Sequence, residues 1–142
     1  MAGMYVEQLR RNAVALISLV VAVSSLSYNT WRNEATEENR NLRFAAFEIL
    51  LKLGELQQVV FHVHYDKDLD KGNPRIGWAY VLTINDLAKV LPGDMQDSTA
   101  GLLQAWGENW ENLADSTISL DIIMQALDAA RSQTLVLLHS LE

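Results

Sequence analysis

The sequence predicts an all-α protein, in which an N-terminal single transmembrane helix continues into an antiparallel up-down-up-down four-helix bundle. First, residues 12–31 form a run of 20 uncharged residues, and a helix of that length spans about 30 Å, the thickness of a bilayer core. Second, no glycine or proline occurs from Met4 to Leu53, so no local signal breaks a helix there. Third, apolar residues recur three and four positions apart in later segments, and no segment shows the period of two typical of a strand.

The chain has 142 residues, which is material for one domain. Residues 32–41 (RNEATEENRN) are polar on every side of a helix, which a solvated spacer tolerates and a packed helix does not. We therefore expect four parts: a short N-terminal tail, residues 1–11; the transmembrane helix, 12–31; a polar juxtamembrane stalk, 32–41; and the four-helix bundle domain, 42–142.

The predicted membrane anchor has charged and aromatic residues at its ends. Arg10 and Arg11 precede the uncharged run, and two aromatic residues lie near its other end, next to Arg32. This arrangement is typical of the two interfaces of a bilayer. The residues assigned to the anchor are Leu16, Ile17, Leu19, Val20, Val21, Tyr28 and Trp31.

Two alternatives to a membrane anchor fit the same segment. A cleaved secretory signal would combine the arginines, an apolar stretch and a small-residue exit at Ala22-Val23-Ser24. A buried helix of a soluble protein would also accept the segment, because several serines make it only modestly apolar.

The arginines on the two sides of the apolar run barely distinguish its orientation. Arg10 and Arg11 abut it directly, and long following domains cross membranes largely regardless of charge. We therefore expect a single-pass protein of bacterial type, with its bundle domain on the periplasmic or extracytoplasmic side.

Beyond the stalk, a heptad pattern predicts the first bundle helix. Its positions are Leu42, Ala46, Ile49, Leu53, Leu56, Val60 and Val63. Phe44, Phe47, Leu50 and Leu51 widen the apolar face beyond a two-position stripe, which predicts burial among several helices.

Capping signals predict the other three helices. Asn73-Pro74 starts the second, which runs to about Leu91. Asp97-Ser98 starts the third and Asp115-Ser116 the fourth. The inward faces are expected to be Ile76, Tyr80, Thr83, Leu87 and Leu91 in the second helix; Leu102, Trp106, Trp110 and Leu113 in the third; and Leu120, Ile123, Leu127, Ala130, Thr134, Leu137 and Leu141 in the fourth.

Composition excludes several kinds of function. The absence of cysteine excludes disulfides, thiolate metal sites and cysteine nucleophiles. The net charge is −7, and only two basic residues face nine acidic ones from Ile76 to Glu142, so nucleic acid is not an expected partner. No motif of a hydrolase, nucleotide-binding or metalloprotease site occurs, and we expect neither enzymatic activity nor a cofactor.

Three aspartates at alternate positions, Asp66, Asp68 and Asp70, resemble the start of a calcium-binding EF-hand loop. The glycine of such a loop falls one place late, at Gly72, and Gly77 stands where the loop needs a bidentate glutamate. We therefore expect a solvated turn and no metal site.

In an antiparallel bundle, aromatic and histidine residues would collect at one pole beside these aspartates. They are His62, His64, Tyr65, Trp78 and Trp110. Amphipathic aromatics ringed by acidic residues are typical of a protein interface, although tryptophans at helical spacing are also typical of a core.

Two functional hypotheses remain. In the first, the chain is a non-enzymatic accessory or scaffold subunit whose partners are the lipid bilayer and either the membrane proteins of a larger complex or a second copy of itself. In the second, it is a membrane-anchored sensory module that binds a small ligand and acts through a partner. We favour the first, because the sequence holds no output domain for a sensor to control.

Overall fold

The computed structural model describes Glu7, Gln8 and residues 10–141. Within these residues the chain is helical and has no strand, which confirms the predicted all-α class. Four helices are described from end to end: α1, Ala13–His64; α2, Pro74–Ala88; α3, Met95–Asn109; and α4, Thr117–Ser140. A 3₁₀ turn, Trp110–Asn112, follows α3.

The chain divides into two compact units, Met1–Asn39 and Arg40–Glu142, and α1 contributes residues to both. Residues 1–6 and Leu9 of the predicted tail lie outside the described residues, as does Glu142 at the end of the predicted bundle domain. The division into tail, anchor, stalk and bundle stays a prediction.

In the first unit, two hydroxyl groups of α1 form hydrogen bonds within the helix. The hydroxyl of Ser18 donates to the carbonyl of Val14 at 2.8 Å, and the hydroxyl of Thr30 donates to that of Leu26 at 3.0 Å. Such bonds to the preceding turn let a hydroxyl lie on a helix without a partner from another segment. No residue from 14 to 39 is buried.

In the second unit, the buried face of α1 follows the predicted heptad pattern. Six of the seven predicted positions are buried and Leu42 is partly buried. The buried residues of α1 are Ala45, Ala46, Ile49, Leu53, Leu56, Val59, Val60 and Val63.

The predicted widening of this face is wrong for three residues. Phe44, Phe47 and Leu51 are 71%, 56% and 61% exposed, whereas Leu50 packs partly against the core. They lie on the side of α1 away from its buried face, so a second apolar face is open to solvent.

The predicted inward face of α2 is wrong at two of its five positions. Ile76 and Thr83 are exposed, Tyr80 and Leu87 are partly buried, and Leu91, which follows the helix, is buried. The buried residues of α2 are Gly77, Val81, Ile84 and Ala88. The reason is that the Trp106 ring of α3 occupies the space a side chain at position 77 would fill. Glycine therefore sets which side of α2 faces α3.

The starts of α2 and α4 agree with the capping signals, whereas α2 ends at Ala88, before the predicted Leu91, and α3 starts early. The amide of Arg75 donates to the Asn73 side chain at 3.0 Å, and the amide of Ser119 donates to the Ser116 hydroxyl at 3.1 Å. α3 begins at Met95, two residues before the predicted Asp97-Ser98 cap. Ser98 does not act as the cap, because its hydroxyl donates to the Met95 carbonyl within the helix.

We predict that Gly77→Ala lowers the free energy of unfolding by about 1–3 kcal/mol, because the added methyl group overlaps the buried Trp106 ring. The matched control is Gly101→Ala in α3, where a Cβ meets nothing within 4 Å. That variant should gain up to about 1 kcal/mol from helix propensity. Urea unfolding of the full chain in detergent, followed by circular dichroism, measures both, and equal stability of the two variants would contradict the prediction.

Candidate functional site

The connection after α1 and the segment before α4 meet at one pole of the second unit. We call residues 62–73 and 110–116 together the loop pole. The His64 Nδ1 lies 2.8 Å from the Leu113 carbonyl oxygen. The Lys67 ammonium donates to the Ala114 carbonyl and lies 3.4 Å from an Asp115 carboxylate oxygen. These contacts hold the end of α1 against the start of α4.

Three of the predicted interface residues lie at the end of α1. His64 and Tyr65 meet edge to face with ring centroids 4.9 Å apart, and Tyr65 is 65% exposed. The ring centroids of Phe61 and Tyr65 are 5.7 Å apart. His62 faces elsewhere, with its Nδ1 2.7 Å from an Asp66 carboxylate oxygen. Of these three predicted residues, Tyr65 is the one whose ring is largely exposed.

The two predicted tryptophans have a different environment. Trp78 and Trp110 are partly buried and pack against the hydrophobic core. Trp78 also lies beside Gly107 of α3. The structure therefore joins His64 to Tyr65 and places the tryptophans where they contribute to the core.

Asp68 organises the aspartate-rich connection. Its carboxylate accepts hydrogen bonds from the backbone amides of Asp70 and Lys71, both at 3.1 Å. Its own carbonyl accepts from the amide of Gly72 at 2.8 Å. Gly72 is buried against Val63, where a Cβ would come within 2.7 Å of the valine side chain. The loop is thus held by its own backbone.

Lys67 adopts a φ of +54°, a left-handed conformation that is uncommon for a residue other than glycine. Its side chain compensates for this strain, because the ammonium bonds to the Ala114 carbonyl on the other side of the loop pole. A lysine at this position therefore performs a task that glycine could not.

The three aspartates do not converge on one point. Asp66 contacts His62, Asp68 binds loop amides and lies 3.6 Å from the Lys71 ammonium, and Asp70 is exposed. Among residues 7–8 and 10–141, no group of three or more histidines, aspartates and glutamates is arranged to hold a metal ion.

The hydrogen bonds to Asp68 also change its acidity. The Lys71 amide stabilises the ionised carboxylate and, with the Asp70 amide and the Lys71 ammonium, lowers the pKa of Asp68 below its ordinary value of 3.8. The ionised form is therefore the one that holds the loop.

The predicted anchor residues lie on α1 and are open to their surroundings. All of the apolar ones are exposed, from 46% for Leu16 to 64% for Val20. Tyr28 and Trp31 form a tilted ring pair with centroids 6.2 Å apart. α1 is also the one helix in the described part of the chain that is long and apolar enough to cross a membrane.

Sequence reasoning missed two features of the second unit, the core position of Gly77 and the contact of Lys67 with Ala114. Gly77 lies at helical spacing with Val81, Ile84 and Ala88, and that pattern would have identified it as a core position. No sequence signal indicates that Lys67 reaches Ala114, because 47 residues separate the two.

We predict that Asp68→Asn destabilises the protein near neutral pH and much less in acid. The asparagine retains an oxygen that accepts from the amides, but it loses the charge. Because the folded state lowers the pKa of Asp68, the stability that the charge contributes is present above 3.8 and is lost as pH falls through the lowered folded pKa. Urea unfolding at about pH 7 and about pH 3 measures the difference. Asp70→Asn, at an exposed position, is the control, and a difference from wild type that persists in acid would contradict the prediction.

Comparison of this chain with protein-family models, with curated protein sequences and with solved structures finds no match.

Proposed function

We propose that this chain is a single-pass membrane protein that serves as a non-enzymatic accessory or scaffold subunit and docks its helical bundle on other membrane proteins. The observation that carries the proposal is the first half of α1, whose large apolar side chains lie exposed. Exposed apolar area of this extent is unfavourable in water and is stabilised in a bilayer. An exposed, unburied segment favours an anchor over the buried helix of a soluble protein.

The proposed bundle is antiparallel, up-down-up-down. Support comes from contacts between α1 and the last part of the chain: as the residue number rises along α1, the number of its partner falls. Arg43 donates to the Leu141 carbonyl at 2.6 Å, and further along α1 Gln57 accepts from Arg131 at 2.6 Å. At the end of α1, His64 meets the Leu113 carbonyl, which precedes α4. Lys52 of α1 also lies over the Tyr80 ring of α2, at 5.4 Å from its centroid.

A non-enzymatic role is supported by the way the chain uses its reactive side chains. His62 is paired with Asp66, His64 with a backbone carbonyl, and Asp68 with loop amides. Each of these groups holds the loop pole in shape. General acid-base chemistry needs such groups directed at a substrate instead.

The alternative, a ligand-binding sensory module, would need a suitable cavity. A cavity of about 220 Å³ lies between the connection after α2 and the end of α4, lined by Pro92, Met95 and Leu137 among others. Ligand pockets usually enclose about 300–1,000 Å³. This smaller cavity gives the sensory module less support than the exposed helix gives the anchored subunit.

We predict that the full chain, expressed in a bacterium with a periplasm, resists extraction from membranes by alkaline carbonate. Because the chain has no cysteine, a single Ser132→Cys substitution on the exposed side of α4 reports the side of the bundle. A membrane-impermeant maleimide should label it in intact cells whose outer membrane has been permeabilised. Labelling only after lysis would contradict the proposed sidedness.

The control for anchoring is a charged variant of the apolar segment. Leu19→Arg with Val23→Arg should release the chain from membranes, since each arginine at the centre of a span costs about 2.5–3.5 kcal/mol. Leu19→Ala with Val23→Ala keeps the segment apolar and should stay in the membrane. Wild-type protein in the soluble fraction would contradict the anchor, and so would cleavage of the segment during export.

We predict that the tagged full chain, solubilised in mild detergent from its native membrane, elutes with other membrane proteins in a fixed ratio. Mass spectrometry identifies them and light scattering gives the size of the assembly. Leu69→Glu places a charge on an exposed residue of the loop pole and should reduce their recovery, whereas Thr83→Glu on the exposed side of α2 should not. Elution of this chain alone, as a monomer or homodimer, would contradict the accessory function.

A further inference from the structure

An apolar stripe runs along the part of α1 that belongs to the second unit, on the side opposite its buried face. Its members recur at spacings of three and four residues, the pattern of a helix that packs on another helix. They are Phe44, Phe47, Leu51, Gly54, Gln58, Phe61 and, one residue after α1 ends, Tyr65. Phe44, Leu51 and Tyr65 are 71%, 61% and 65% exposed. Every member of the stripe except Gly54, which is partly buried, is exposed.

The stripe has the heptad spacing of a coiled-coil seam. With Phe44 as position a, the a positions continue through Leu51, Gln58 and Tyr65, and the d positions are Phe47, Gly54 and Phe61. All but Gly54 and Gln58 are apolar or aromatic. A polar residue at a single a position specifies register, because it pairs with its own counterpart in the facing helix.

The charges beside the stripe favour a parallel arrangement of two identical helices. Arg43 is at position g and Glu48 at the following e position, and this g-to-e pair joins two parallel helices. An antiparallel pair centred on the stripe would instead set Glu55 against Glu55. The Arg43 guanidinium has five N–H donors, and one of them bonds to the Leu141 carbonyl.

We propose that the apolar stripe is the interface of a parallel homodimer, in which α1 of one chain packs in register against α1 of a second copy. The parallel direction rests on the proposed function, because two copies anchored by the same N-terminal segment in one membrane present their helices side by side in the same direction. In the dimer, Gln58 meets Gln58 and Arg43 of each chain faces Glu48 of the other.

Disulfide formation between full-length chains in membranes tests the proposal. The cysteine-free sequence permits single substitutions at Phe44→Cys, Leu51→Cys and Tyr65→Cys, with Ser132→Cys on α4 as the control. Each of the three stripe variants should yield a covalent dimer on oxidation, at least about tenfold more than the control. Phe47→Glu introduced into the Leu51→Cys chain should reduce its cross-linking at least about tenfold, because the interface would bury an unpaired charge, whereas Thr83→Glu should not.

Three outcomes would overturn the dimer. Absence of cross-links at all three stripe positions excludes the interface, and cross-linking equal to that of Ser132→Cys shows random collision. An antiparallel dimer would cross-link a Phe44→Cys chain to a Tyr65→Cys chain while neither variant cross-links to itself. A chain that stays in the membrane fraction without stripe cross-links loses the dimer and keeps the proposed anchoring, whereas a chain that leaves the membrane fraction loses the proposed function.

Discussion

The packing of Trp106 against Gly77 is the contact on which the arrangement of α2 and α3 depends. Trp106 is the largest fully buried side chain, and its ring fills the space where any other residue at position 77 would place a Cβ. The absence of a side chain lets α3 approach α2 through the indole ring. The remaining buried residues of α2, Val81, Ile84 and Ala88, follow at helical spacing from that contact.

The same contact carries an energetic cost that burial outweighs. The Trp106 Nε1 is buried and has no hydrogen-bond partner among the described residues, which costs about 1–3 kcal/mol. Burying about 150–250 Å² of indole surface contributes roughly 4–6 kcal/mol at about 25 cal/mol per Å². The balance favours the buried ring, so the core tolerates one unsatisfied donor. The indole position is therefore determined by its shape and apolar area, and not by its polar atom.

Features with local causes were predictable from the sequence, and features with distant causes were not. The unbroken α1 follows from a segment without proline, and the starts of α2 and α4 follow from Asn73 and Ser116, whose side chains accept from nearby amides. Ile76 and Thr83 were placed on the inward face of α2 because Gly77 was not counted as a core residue. The residue that Gly77 contacts, Trp106, lies 29 positions away in the chain. Within the loop pole, the sequence identified the aromatic residues. It did not indicate that the Lys67 ammonium donates to the Ala114 carbonyl.

The two faces of α1 in the second unit differ in burial, and we propose that one serves folding and the other association. Phe47 on the apolar stripe and Ile49 in the core are two positions apart, which turns them about 200° from each other around the helix. Ile49 is fully buried while Phe47 is 56% exposed. Stability of the bundle therefore depends on the first face, and a polar substitution on the second leaves the core intact. A helix that packed only within its own bundle would carry polar residues on its solvent-facing side, as α1 does at Gln58. The exposed aromatic residues on that side are what the proposed dimer would bury.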